Sequence, residues 1–188
     1  MLGVYIGRFQ PFHAEHAKIA AKALEECDSL LLLVGVSLSD KCSPKNPFPS
    51  HVIEDTILCS FHSKDKARIK VIPLFDNPSD KLWVREVKHL IHFFAPGESK
   101  IALYGGHKDE SSSYLNWFPE FEDRTLKCIE SSISGSKIRE LLYTDQPVPE
   151  HYFATKKAYT YVLRASKMTS FLALKEEYRK LQTQKGEQ

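Results

Sequence analysis

The chain has 188 residues, 27% of them charged and 42% hydrophobic, with 26 lysines and arginines against 24 aspartates and glutamates. That length is ample for one medium domain with an added segment, and it argues against a two-domain enzyme of ordinary size. A net charge of +2 provides no overall field for nucleic acid or a membrane surface, so neither is expected as a partner and any anion must be held locally.

Strand-like and helix-like segments alternate, the pattern of a parallel sheet covered on both faces. The apolar run Leu2–Ile6 reads as the first strand, and Gly7-Arg8-Phe9-Gln10-Pro11-Phe12-His13-Ala14-Glu15-His16 follows at the turn into a helix expected over His13–Glu26. Further strands are expected at Ser29–Val36, Ile69–Leu74, Lys100–Tyr104 and Thr125–Glu130. Most are continuous apolar runs, as suits strands buried on both sides. Helices are expected at Ser50–Phe61, Ser79–Phe94, near Ser112–Trp117, and at Ser134–Tyr143, where Ser134 is suited to cap. In Ser79–Phe94 the spacing predicts Leu82, Val87, Leu90, Ile91 and Phe94 on the packed side, with Arg85, Lys88, His89 and His92 opposite. Beyond Pro147 and Pro149 only helix is expected, over Tyr152–Ser166 and Thr169–Gln184. The cysteines Cys27, Cys42, Cys59 and Cys128 form neither a CxxC pair nor a zinc-type cluster, and Leu30–Val36 is too short to span a bilayer. A reducing cytoplasm with free thiols is the plain reading.

Five stretches with unusual chemistry, Gly7–His16, Ser37–Phe48, Asp76–Trp83, Gly105–Tyr114 and Ile133–Arg139, all follow predicted strands. In open α/β sheets ligands bind beyond the carboxyl ends of the strands, so the coincidence locates the site. His13 and His16 stand where a strand turns into a helix, beside Gly7, Arg8 and Gln10; orphan N–H groups and the positive helix end gather at such a junction and favour an anion. His89 and His92 have the same spacing without that context and read as a solvated face. Metal ligation by His13 and His16 would need a third ligand, and Glu15 projects from another side of the helix. In Ile133-Ser134-Gly135-Ser136-Lys137-Ile138-Arg139, cations occupy a helix start that by dipole logic prefers acids, which suggests a bound polyanion. The bland alternative is a capped surface helix with Arg139 paired to Glu140 or Glu130. Taken together, the two stretches read as a triphosphate seat.

Gly7–His16 resembles the GRFQPFHxGH element of the nucleotidylyltransferase superfamily, and Ile133–Arg139 resembles its ISSTxIR partner. Lys45-Asn46-Pro47-Phe48, Asp80 with Trp83, and the run Gly105–Leu115 resemble the nicotinamide mononucleotide (NMN) adenylyltransferase branch, in particular the adenylyltransferase half of bifunctional enzymes with a Nudix hydrolase half behind it. The resemblance covers roughly residues 1–145, with the motifs in order. It implies a Rossmann-like doubly wound parallel α/β sheet of five strands over residues 1–147, and a helical C-terminal extension, 148–188. Ser170–Tyr178 is similar to the linker into the Nudix half, yet nothing here resembles a Nudix box. Single-function chain and fragment both stay open.

The resemblance further implies attack by the phosphate of NMN on the α-phosphorus of ATP, giving NAD and pyrophosphate, with Mg2+ accompanying ATP. An already ionised nucleophile needs no catalytic triad, and alignment with charge stabilisation suffices. On this reading His13, His16 and Arg139 are catalytic. Gly7, Arg8, Phe9, Lys45, Gly105, Lys108, Asp109, Ser134 and Ser136 bind ATP, while Asp80 and Trp83 bind NMN. Trp83 would stack on the cationic nicotinamide ring, or else pack within its helix. Lys108 and Asp109 would approach the adenosine, or form an exposed turn with an ion pair. Tyr114 and Trp117 read as packing residues. Relatives of this kind often form homo-oligomers. Glu15 replaces the family's glycine between the histidines, and no arginine follows Phe48, a charge that His51, Lys41 or Lys45 would supply. Alternatives are another phosphorylated acceptor, nicotinate mononucleotide or phosphopantetheine, and a non-catalytic module that senses ATP or NAD.

Overall fold

A computed structural model describes residues 1–39, 41–107, 110–127 and 133–186. Five parallel strands form the central sheet in the order β3-β2-β1-β4-β6, with β1 at Leu2–Gly7, β2 at Ser29–Val36, β3 at Ile69–Phe75, β4 at Ile101–Tyr104 and β6 at Glu122–Asp123. The order reverses between β1 and β4, so the loops after these strands diverge and leave a crevice there.

Alternation along the strands builds two cores. Leu30, Leu32 and Val34 face one side with Tyr5, and Leu31 and Leu33 face the other with Leu2, Val4 and Ile6. The first face is covered by α1 (Ala14–Glu26) and α2 (Ser50–Cys59), and the second by α4 (Asp80–Phe94) and a 3-10 helix at Glu110–Trp117. A short α3 (Ser63–Lys66) precedes β3. The chain ends in α5 (Gly135–Tyr143), α6 (Lys156–Ala165) and α7 (Thr169–Gly186), whose buried residues Ile138, Val162 and Phe171 join the first core. No helix among the described residues is long and apolar enough to cross a membrane.

Three expectations need correction. The fifth strand is Glu122–Asp123, not Thr125–Glu130: the Arg124 guanidinium turns back to Glu122 (2.5 Å) and Glu26 (3.0 Å) and ends the pairing there. Leu126–Lys127 (β7) pairs instead with Gly106–His107 (β5) in a separate ladder, and residues 128–130 lie outside the described ones. On α4 the buried stripe is Trp83, Val84, Val87, Leu90 and Ile91, while Leu82 and Phe94 are exposed. The sixth helix starts at Lys156, because the Thr155 hydroxyl accepts from the Ala158 N–H (3.1 Å) and donates to the Cys59 carbonyl (2.8 Å), fixing the helix start against α2. Glu150–Tyr152 is a separate 3-10 turn.

Glu26 ties α1 to the sheet. Its carboxylate holds Lys22 (2.9 Å), accepts from the Tyr104 hydroxyl (2.7 Å) and meets Arg124, which together lower its pKa from 4.5 to about 2. The folded value lies below the unfolded one, so this stabilisation is present above about pH 4.5 and is lost as pH falls toward 2. Thermal melts across that window should show a shallower acid decline for Glu26→Gln than for the parent chain; equal slopes would remove Glu26 from the account.

Candidate active site

The turn after β1 is built around Phe9. Its backbone is left-handed (φ 50°) and its ring is 2% exposed, 5.0 Å from Tyr5, 5.5 Å from Phe12 and 5.1 Å from His16 between ring centres. A Cβ on Gly7 would lie 2.8 Å from that ring, so the glycine makes room for Phe9. The Phe9 side chain is therefore core, which leaves Gly7 and Phe9 only their backbone groups to offer a ligand. Gln10 is likewise occupied. Its amide donates to the Phe48 carbonyl (2.8 Å) and accepts from the Phe48 N–H (2.9 Å), joining the first loop to the loop before α2.

His13 caps α1, and His16 is the third residue of the helix. The His16 Nδ1 accepts from the His13 backbone N–H (3.4 Å), which puts the ring proton on Nε2 and makes that nitrogen a donor. The two imidazoles stack with centres 3.7 Å apart at 23°. His13 is 1% exposed, whereas His16 is half-buried and reaches the surface. The Glu15 carboxylate is taken by Lys18 (2.7 Å) within α1.

The second motif arrives at the same loop. Ser134 caps α5, its hydroxyl accepting from the Lys137 N–H (3.2 Å), as the sequence suggests. A Cβ on Gly135 would be 2.8 Å from the Gln10 carbonyl oxygen, so the bare glycine lets α5 rest on the first loop. Arg139 closes that contact by donating to the Gln10 carbonyl (2.6 Å) and to the Ser136 hydroxyl (3.1 Å). Burial lowers the Arg139 pKa, and both acceptors are neutral. Of the alternative ion pairs for Arg139, Glu140 takes Lys137 instead (3.1 Å), and Glu130 lies outside the described residues. A partly desolvated guanidinium whose described partners are neutral, beside the N-termini of α1 and α5, has the chemistry to hold an anion.

Lys45 sits exposed in a tight turn closed by mutual backbone hydrogen bonds between Ser43 and Asn46 (3.1 and 2.9 Å). The Tyr143 hydroxyl of α5 donates to the Pro44 carbonyl (3.1 Å) and anchors this turn. Strand register brings Arg8 beside Gly35, where a Cβ would be 3.1 Å from its Cδ, and one guanidinium nitrogen, Nη2, donates to both Asp76 carboxylate oxygens (2.8 Å each) past the end of β3. Asp76 opens one of the stretches singled out in the sequence, but its pairing with Arg8, and Gly35 beneath that arginine, were not foreseen.

On the other face of the sheet, Trp83 is half-buried against Tyr114 (5.7 Å) and Trp117 (5.8 Å). The Tyr114 hydroxyl donates to the Ile6 carbonyl (2.8 Å), and burial pushes its pKa up to about 12. Tyr114 thus links Ile6, near the end of β1, to Trp83 in the first turn of α4, where Asp80 is exposed. Gly105 follows β4 with a Cβ position 3.1 Å from Leu115. Lys108 and Asp109 lie outside the described residues. Among the described residues no group of three or more His, Cys, Asp or Glu side chains could hold a metal ion.

Gln10→Ala would leave the buried Phe48 N–H and carbonyl without partners, at about 1–3 kcal/mol per group. Thermal melts should show that loss, and an unchanged melting temperature would contradict the clamp.

The cytidylyltransferase-like family model matches residues 4–52. The chain is 36% identical over 140 residues to the nicotinamide/nicotinic acid mononucleotide adenylyltransferase of Acinetobacter baylyi, covering 74% of each chain. It is 36% identical over 170 residues to the nicotinamide-nucleotide adenylyltransferase of Saccharolobus solfataricus, covering 77% of this chain and 98% of that one. The fold matches that of a bifunctional NMN adenylyltransferase/ADP ribose pyrophosphatase of Francisella tularensis, crystallised with AMP and a manganese ion, at a TM-score of 0.82 and 21% identity. That match covers 97% of this chain and spans 56% of the length of the Francisella protein.

Proposed function

The chain belongs to the nicotinamide-nucleotide adenylyltransferase family, and from that premise we propose that it joins ATP to NMN, forming NAD and releasing pyrophosphate. The observation that carries this reading is the 2.6 Å contact between Arg139 and the Gln10 carbonyl, which sets two helix N-termini and an imidazole donor around one loop.

The phosphate of NMN attacks the α-phosphorus of ATP; one P–O bond forms and the bond to the departing pyrophosphate breaks. The nucleophile is already anionic, so the site needs no proton acceptor for it. His16, donating from Nε2, and His13 meet the α-phosphate oxygens, where charge is redistributed in the transition state. Ser134, Ser136, Arg139 and Lys45 hold the β- and γ-phosphates. A divalent ion, Mg2+ in the cell, arrives with ATP as part of the substrate. Arg8 stands at the rim with Asp76 and joins the phosphates when the pair opens.

Asp80 and Trp83 take the NMN side, with Trp83 offering an aromatic face to the cationic ring. Nicotinate mononucleotide is a second acceptor, favoured by the name of the Acinetobacter baylyi relative. Catalysis is assigned to residues 1–147, and the free thiols Cys27, Cys42 and Cys59 suit a reducing cytoplasm.

Purified protein given ATP, divalent ion and NMN should release pyrophosphate and form NAD in equal amounts; ATP binding without release would make it a sensing module instead. His16→Ala should lower turnover by about 10²–10³-fold while the chain stays folded. A variant with near-parental turnover would remove His16 from the chemistry. Chelation of divalent ions should stop NAD formation, and either Mg2+ or Mn2+ should restore it.

A further inference from the structure

Helix α7 carries four residues that reach back to the site's supporting elements. Phe171, 2% exposed, stacks its ring on Phe48 (5.4 Å, 28°) and on Tyr143 (5.1 Å, 22°). Tyr178, two turns on, stacks on the outer face of Tyr143 (4.6 Å, 21°). Lys175, only 8% exposed, donates to the Asp145 carboxylate, which also accepts from Arg179 (3.1 Å). Asp145 sits in a left-handed turn (φ 57°) just past the end of α5.

Each contact lands on a residue that holds part of the site. Phe48 is clamped by Gln10, whose carbonyl seats Arg139. Tyr143 lies one helical turn after Arg139 on the same face of α5 and anchors the Lys45 turn through Pro44. The Lys175 stem is buried while its Asp145 partner is largely exposed, so packing and the ion pair together fasten α7 to the turn that ends α5.

We infer that α7 is a positioning brace, in which Phe171 and the Lys175–Asp145 pair set the geometry of Arg139 and the Lys45 turn, and thereby the affinity for ATP, without touching substrate. This inference rests on the proposed roles of Lys45 and Arg139 at the triphosphate. It gives the extension a function in this chain whatever follows it in longer relatives.

The test uses the full chain and steady-state kinetics with both substrates varied. Asp145→Asn keeps the left-handed turn, which asparagine tolerates, while removing the charge that holds Lys175 and Arg179. It should raise KM for ATP about fivefold and leave KM for NMN within about twofold, the signature of a displaced ATP-side contact rather than a general loss of protein. Phe171→Ala should shift KM for ATP further in the same direction, and Phe171→Leu should recover most of it. If Phe171→Ala fails to fold, Asp145→Asn carries the test alone.

Lys45→Ala and Arg139→Ala serve as references. If both weaken ATP binding while Asp145→Asn leaves it at the parental value, the brace is overturned and the site reading stands. If neither reference variant alters ATP binding, the site reading fails and takes the brace with it. Variants that lower the melting temperature without moving KM for ATP also overturn the brace, since α7 would then contribute stability alone.

Discussion

Gln10 joins three distant parts of the chain, and the site depends on that junction. Its side-chain amide satisfies both backbone groups of Phe48, and its own carbonyl accepts from Arg139 of α5. The segments concerned are 38 and 129 residues away in sequence. A backbone carbonyl admits a helix N-terminus this closely only where the arriving residue lacks a Cβ, which is why Gly135 matters more than the serines flanking it. Replacing it would push on backbone rather than on the end of a flexible side chain, so α5 itself would have to move.

Two helix N-termini facing one loop concentrate positive potential in a small volume, which favours an anion there. Arg139 sharpens the point, because its hydrogen-bond partners are neutral and burial lowers its pKa. Two acidic residues of these loops are engaged: Glu15 holds Lys18, and Asp76 holds Arg8. These carboxylates neutralise cations at the rim and leave the donors around Gln10 to the proposed adenylyl transfer, which needs alignment and charge.

Much of the fold was legible because continuous apolar runs separated by capped helices admit few other arrangements. The caps at Ser79 and Ser134 stand where side-chain chemistry predicts them. Thr125–Glu130 misled because β-propensity reports a half-buried surface, whereas sheet pairing here ends beside Arg124, whose guanidinium meets Glu122 of β6 itself and Glu26 of α1. Leu82 and Phe94 misled because helical periodicity defines a stripe wider than the one the sheet covers. At the site, motif order led to the two segments that meet at Gln10, but not to the packing of Gly7 and Phe9 or the Gln10 clamp. Their roles are set by contacts with Tyr5, Phe12 and Phe48, and local sequence does not encode such contacts. The stretch opening at Asp76 was legible as part of the site, but the pairing with Arg8 was not, because only strand register brings the two together.

The most direct measurement is a crystal structure of the chain with a non-hydrolysable ATP analogue. The account predicts phosphate oxygens within hydrogen-bonding distance, about 3 Å, of both His16 Nε2 and the Arg139 guanidinium, bridging α1 and α5. A nucleotide lodged elsewhere, or one whose phosphates meet only one of those two residues, would contradict it.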